Sequence, residues 1–154
     1  MAIDKVKAYF SEFNMEDRIM EMPRSSATVE LAAQAVGCEP CRIAKTMSFL
    51  QGDKPVLIVT AGDARVDNKK YKAQFHKKAK MIPFDEVEGW IGHAPGGVCP
   101  FAVNDGVEVY LDDSLKRFDL VYPAAGSDNS AIGLDLEELE KYSGSLGWID
   151  VCVY

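Results

Sequence analysis

The sequence predicts an α/β (α+β) fold, a single domain over residues 1–154 with a mixed, largely antiparallel sheet flanked by short helices. Three observations predict it. Two strongly apolar, β-branched runs at 41–50 and 55–62 are separated only by Gln51, Gly52, Asp53 and Lys54, which reads as a buried hairpin. Further strand-like runs are interleaved with short amphipathic helices at irregular spacing, which is not the regular alternation of a doubly wound parallel sheet. Neither an internal repeat nor a linker interrupts the chain, and 154 residues with 47% apolar and 27% charged content suffice for one hydrophobic core.

Taken in order, Ile3, Val6, Phe10 and Phe13 fall at helical spacing, predicting a helix over 2–13 that Asn14 ends. Residues 18–22 alternate as a short strand halted by Pro23. Ser25, Ser26 and Thr28 offer N-caps for a helix over 29–36, with Glu30 in its first turn and Gly37 as its stop. In the first hairpin strand, alternation sets Lys45 on one face with Ile43, Met47 and Phe49. An ammonium in an apolar row is costly unless paired or facing a cleft, so Lys45 is either a lysine snorkelling at the sheet edge or a site residue.

Asp67 is a natural N-cap for a helix over 68–78 that buries Tyr71, Phe75 and Ala79, with Lys69, Lys72, His76 and Lys80 along another face. A short strand at 81–84 and a short helix at 85–92 then lead into a loop at 92–101, GHAPGGVCPF. Adjacent glycines permit positive φ and let a ligand approach main-chain groups, while Pro95 and Pro100 fix φ on either side. A strand at 107–115, a strand pair at 118–126 and 130–136, a helix starting at Leu136 and a strand at 148–153 complete the chain.

No apolar run reaches the ~20 residues needed to span a bilayer, and the first residues form an amphipathic pattern with no signal-peptide core. A cytoplasmic location without membrane contact is expected. Cys38, Cys41, Cys99 and Cys152 are too few and too unevenly placed for a disulfide framework and are expected as thiols. The formal charge of −7 is distributed unevenly: Arg65, Lys69, Lys70, Lys72, Lys77, Lys78 and Lys80 face only Asp67 within 65–80. Such a basic patch on an acidic body favours one docking orientation for a polyanion.

The familiar catalytic patterns are missing. There is no GxSxG, no phosphate-binding P-loop and no GxGxxG. Cys38 and Cys41 form a CxxC that His93 and Cys99 could complete as a zinc site, but the second paired spacing is absent, so neither metal nor cofactor is expected. His93 alone among the histidines sits in the loop as a candidate general base; the plainer alternative is a structural histidine.

Several blocks together resemble the YbaK family, the freestanding relatives of the editing domain inserted in bacterial prolyl-tRNA synthetases. They are CRIAKTMSF at 41–49, PVLIVTAGDARVDNKK at 55–70, GGVCPF at 96–101, VYLDDSLKRFDLVYPAAG at 109–126 and LEEL at 136–139. The likeness runs from about Ser26 to Leu139. It implies a YbaK-like fold and a trans-editing aminoacyl-tRNA deacylase acting on tRNA for proline charged with a small non-cognate residue, alanine, cysteine, serine or 2-aminobutyrate. Its partners would be the aminoacylated acceptor end of tRNA and prolyl-tRNA synthetase.

The resemblance places Lys45 at the family's required lysine and Gly96, Gly97, Val98 and Pro100 in its GxxxP loop. Ser26, Thr28, Thr46, Met47 and Asn129 would line the amino-acid pocket, and Lys69, Lys70, Lys72, Lys77 and Lys80 would hold the acceptor stem. The chain departs from the pattern at two positions. Ala131 stands where the cysteinyl-specific branch has aspartate, and Phe101 replaces a histidine of the synthetase-embedded version. Two other functions fit the same residues, a non-catalytic tRNA-binding module and a small-molecule site in which Lys45 grips an anion.

Overall fold

The computed structural model describes residues 2–23, 25 and 28–154. The N-terminal helix α1, Ala2–Ser11, buries Ile3, Val6 and Phe10. It stops two residues short of the expected 13, and Phe13 lies 38% exposed, in ring contact with Tyr9 and Tyr142. Strand β1, Ile19–Glu21, precedes helix α2, Val29–Val36, which Thr28 caps by accepting the Leu31 N–H and Gly37 ends in the left-handed conformation.

A 3-10 turn at Pro40–Arg42 delays the next strand, so the first hairpin arm is β2, Ile43–Gln51, and not 41–50. Its partner β3, Lys54–Ala61, pairs with it antiparallel from Ala44↔Ala61 to Gln51↔Lys54 across a two-residue turn. Val56, Leu57, Ile58 and Val59 of β3 are fully buried, as expected of a strand covered on both faces.

After β4, Arg65–Val66, helix α3 runs Asn68–Phe75 with Asp67 as N-cap. It ends three residues before the expected 78, where His76 adopts φ 65°. The chain instead returns to the sheet, with the Leu50 N–H donating to Lys80 O and the Ile82 N–H to Ser48 O. Tertiary pairing therefore overrides helix propensity, and Lys77, Lys78 and Lys80 do not continue a helical face. The strand expected at 81–84 contracts to a single antiparallel bridge, Phe49↔Met81.

Helix α4, Val87–Ile91, follows a 3-10 turn at Phe84–Glu86 and ends at Gly92 with φ 101°. The remaining elements are β5 (Glu108–Asp112), β6 (Leu120–Pro123), β7 (Ser130–Ile132), β8 (Leu134–Asp135), α5 (Leu136–Tyr142, opened by an Asp135/Glu138 capping box), β9 (Trp148–Ile149) and β10 (Cys152–Val153). The single strand expected at 148–153 is thus two. β9 adds to β5, and β10 crosses to pair with β4.

The main sheet has the order β8-β6-β2-β3-β5-β9, and two-stranded ladders β1-β7 and β10-β4 flank it. Across the main sheet and the two ladders four of the seven strand pairings are antiparallel, and within the main sheet two of five are, so the architecture is mixed as expected. One edge of β2 carries a gap. Ile43 and Ala44 pair with Tyr122 and Pro123 of β6, and Ser48 and Leu50 bond the 80–82 segment. Between them, residues 45–47 have no strand partner on that side among the described residues. Because Ser48 and Leu50 turn their main-chain groups outward, the two-residue repeat turns those of Thr46 into the notch.

Candidate functional site

A cavity of about 120 Å³ opens at this notch. Its wall combines Thr28, Val29 and Ala32 of the α2 end, residues 43–46 of β2, and Pro95, Gly96 and Val98 of the glycine loop. Tyr122, Ala124, Ser130 and Ala131 close it from β6 and β7. Lys45, half-buried, also lines an adjoining groove of about 300 Å³ with Arg65, Asn68 and an apolar floor that includes Met47 and Phe49. Among the described residues neither the Lys45 nor the Arg65 side chain makes a hydrogen bond or ion pair. The Lys45 ammonium acts only at longer range, drawing the Asp63 carboxyl and the Cys152 thiol downward as a minor influence on each.

Among the described residues the Thr46 hydroxyl oxygen is buried without a partner, at the wall between this cavity and a larger neighbouring crevice. A buried hydroxyl left unsatisfied is uncommon and calls for a ligand or a functional cause. The cavity therefore gathers an ammonium and a hydroxyl, both without a partner among the described residues, and open main-chain groups. That set can bind and polarise a carbonyl, and it contains no side-chain nucleophile poised by a base.

The loop facing Lys45 is held by main-chain geometry. Lys5 Nζ donates to Gly92 O at 3.0 Å, the Asn104 N–H donates to Ile91 O, and Asn104 Nδ2 donates to Gly89 O and Trp90 O. Cys99, Pro100 and Phe101 are buried, with Phe101 edge-on to Phe10 of α1 at 4.9 Å. Residues Pro95–Gly97 form a 3-10 turn whose Gly96 is exposed and whose Gly97 is buried. The left-handed conformation occurs at Gly92 and not at Gly96 or Gly97. What Gly97 requires is space, because a Cβ there would lie 2.7 Å from Gly126 C and from Ser127 N and Cα.

His93 and Cys99 do not line the cavity. His93 is fully buried, its Nε2–H donates to Phe101 O at 2.7 Å, and its Nδ1 has no partner among the described residues. Burial lowers its pKa against the opposing effect of the Phe101 carbonyl. Cys99 is buried beside it, 3.5 Å from Nε2, and burial pushes its thiol up to about 12. Neither is a general base or a thiolate nucleophile here. Cys38 precedes the Pro40–Arg42 turn and Cys41 lies within it, and no group of three or more His, Cys, Asp or Glu side chains among the described residues could hold a metal.

Of the other expected pocket residues, Thr28 and Thr46 line the cavity, Met47 lines its two neighbours, and Ser26 lies outside the described residues. Pro100 is buried behind the loop. Asn129 is not on the cavity wall. Its Nδ2 donates to Met22 O and its carbonyl accepts the Met22 N–H, clamping the approach to α2, while the next residue, Ser130, lines the cavity. Sequence reasoning missed Ala32, Ile43, Ala44, Pro95, Tyr122, Ala124 and Ser130 as wall residues, most of them small or apolar side chains that carry no chemical signature of their own.

The basic patch also divides. Lys69, Lys72, Lys77 and Lys80 are exposed. Lys70 instead donates to Asp150 Oδ1 at 3.0 Å and to Cys152 O at 2.8 Å, which ties α3 to the C-terminal strand and removes it from the free cations.

Comparison with known proteins adds family information to this geometry. Residues 24–142 match the model of the aminoacyl-tRNA editing domain. The chain is 50% identical over 153 residues to the uncharacterized protein YwhH of Bacillus subtilis, covering 99% of this chain and 98% of that one. It is 32% identical over 94 residues to the proline–tRNA ligase of the same organism, a match that takes up 60% of this chain and 16% of the ligase. A crystal structure provisionally described as a trans-editing enzyme for prolyl tRNA synthetase superposes with TM-score 0.88 at 26% identity, covering 99% of this chain and 98% of that one.

Proposed function

This chain belongs to the aminoacyl-tRNA editing domain family, of the YbaK-like kind, and from that premise we propose that it is a trans-editing deacylase. Its substrate would be tRNA for proline esterified with a small non-cognate amino acid, and it would work in the cytoplasm alongside prolyl-tRNA synthetase. The observation that carries the proposal is the convergence on one small cavity of the exposed Gly96 main chain with a Lys45 ammonium and a Thr46 hydroxyl that have no partner among the described residues.

An aminoacyl ester is already activated, so its hydrolysis needs position and charge stabilisation more than a strong nucleophile. Lys45 would hold the terminal phosphate or steady negative charge at the 3′ end. Main-chain groups of residues 96–98 would orient the ester carbonyl and the attacking water or ribose hydroxyl. The acyl C–O bond then breaks, releasing the free amino acid and intact tRNA with one water consumed.

Size sets the specificity. A cavity of about 120 Å³ is smaller than the ~150 Å³ that admits benzene, which suits alanyl-, seryl- or 2-aminobutyryl-sized groups. Ala32, Ala44, Ala124 and Ala131 line it with side chains of a single methyl group. Neighbouring substrates should overlap, because one methylene discriminates by only ~1–3 kcal/mol.

The test is a deacylation panel of tRNA for proline charged with alanine, serine, cysteine and 2-aminobutyrate. Lys45→Ala should slow the preferred substrate by about 10²–10³-fold, the scale of losing one charge-stabilising donor. Near-normal hydrolysis by that variant removes Lys45 from the mechanism. A non-catalytic tRNA-binding module would instead leave the acyl half-life unchanged by the wild-type protein.

A further inference from the structure

The crevice on the far side of Thr46 is larger than the cavity, about 440 Å³, and no charged side chain lines it. It shares Thr46, Pro95, Gly96 and Val98 with the cavity, so the two spaces are separated only by the Thr46 side chain and the glycine loop. Its outer wall carries Met81 and Phe84, which are 54% and 79% exposed. Phe84 is the most exposed large apolar side chain among the described residues. Among the described residues its ring makes no aromatic contact, yet its backbone is fixed, since the Ile82 N–H donates to Ser48 O and the Glu86 N–H to Pro83 O. An exposed aromatic held on a short turn at the mouth of an apolar crevice is a stacking surface awaiting a planar partner.

The chemistry of the substrate says which partner. The ester that enters the cavity hangs from the ribose of the terminal nucleoside, so the base of that nucleoside must occupy a space directly adjoining. Two spaces adjoin. The groove containing Lys45 and Arg65 is cationic and suits a phosphate; the crevice containing Met81 and Phe84 is uncharged and apolar and suits a base. We propose, resting on the editing function above, that this crevice binds the terminal adenine of the tRNA 3′ end, stacked on Phe84. Phe84 thereby positions the ester without touching the reacting atoms.

The test uses a non-hydrolysable probe, the trinucleotide CCA ending in 3′-amino-3′-deoxyadenosine with alanine joined through an amide, and the same probe with the terminal adenine replaced by an abasic sugar. Phe84→Ala should weaken binding of the adenine probe by roughly 5- to 150-fold, the range of one base–aromatic stack, while Phe84→Trp retains it. The abasic probe should bind wild type and Phe84→Ala equally, because both changes remove the same contact. In deacylation, Phe84→Ala should raise KM with kcat kept. As Phe84 is on the surface, its variants should melt like wild type.

Equal binding of the adenine probe by wild type and Phe84→Ala, or losses from the two changes that multiply, overturns the assignment. A wild-type protein that hydrolyses mischarged tRNA while the cycle shows no coupling defeats the crevice alone. Coupled losses in a protein that hydrolyses none of the charged tRNAs support the crevice and defeat the editing reading.

Discussion

Replacing Gly97 with alanine tests whether the glycine loop works through its main chain. The new Cβ would meet three backbone atoms of Gly126 and Ser127 at 2.7 Å, where carbon contacts normally settle at ~3.5–4.0 Å. No flexible side chain is available to give way, so the 95–98 loop and the 126–127 turn must part by about 1 Å. Overpacking of this kind costs ~1–3 kcal/mol of stability, and each kcal/mol lowers Tm by about 2–4 °C in a chain of this size. The effect on chemistry should be larger, since a 1 Å misplacement of positioning groups costs ~10²-fold. Cys99→Ala is the control. It removes a buried, protonated thiol two residues away and should cost about 0.5–1.5 kcal/mol with little change in rate. Single-turnover deacylation and urea unfolding of both variants separate the two effects. A folded Gly97→Ala protein within threefold of the wild-type rate, or a Cys99→Ala protein equally impaired, would refute main-chain positioning by this loop.

The exposed lysines should contribute to tRNA affinity unequally with Lys70. Gln substitutions of Lys69, Lys72 or Lys77 should each flatten the log Kd against log salt slope by up to about one, whereas Lys70→Gln, which breaks the tie to Asp150 and Cys152, should lower the urea midpoint more than it changes that slope. His93 is held neutral by burial, so its folded pKa lies below the unfolded value of ~6.5. Below that value the unfolded chain binds the extra proton, and stability present above pH ~6.5 is lost as pH falls, by up to ~1.4 kcal/mol per unit. Urea midpoints at pH 5 and 7.5 should therefore differ more for wild type than for His93→Gln. Ala131→Val adds two methyl groups to the cavity wall and should raise KM for the alanyl ester at least tenfold; an unchanged KM would separate this cavity from the amino-acid site.

Sequence pattern revealed those parts of the fold where local and tertiary preferences agree. The β2–β3 hairpin and α2, with its threonine cap and glycine stop, lie within two residues of their expected bounds. Lys45 stood out because an ammonium among Ile43, Met47 and Phe49 conflicts with its surroundings, and among the described residues it has no ion pair. Errors arose where long-range pairing decides. Helix α3 stops at Phe75 because residues 80–82 bond β2, and the last strand breaks between two different partners. The cavity wall was largely illegible, because Ala32, Ala44 and Ala124 matter there through being small and no pattern in the chain marks smallness as purpose. Asn129 attracted attention as a polar residue, yet its amide serves the backbone of Met22 while its neighbour faces the cavity.

The site exists because two stretches stop pairing with β2 from opposite ends. β6 keeps register only to Ala44↔Pro123, after which Ala124 bridges Ala131 and Gly126 turns with φ 98°. From the other end, the 80–82 segment reaches no further than its bond to Ser48. The notch left at 45–47 frees the Thr46 main chain and gives the Lys45 ammonium an opening to two grooves. The turn at 126–127 that ends the β6 excursion is also the surface against which Gly97 packs. One backbone path thus opens the sheet edge and sets the position of the loop that faces it. Side-chain truncation should therefore be tolerated around most of this wall, and changes that redirect the main chain at 97 or 126 should be severe, the reverse of the pattern expected for a site built on a nucleophile and its base.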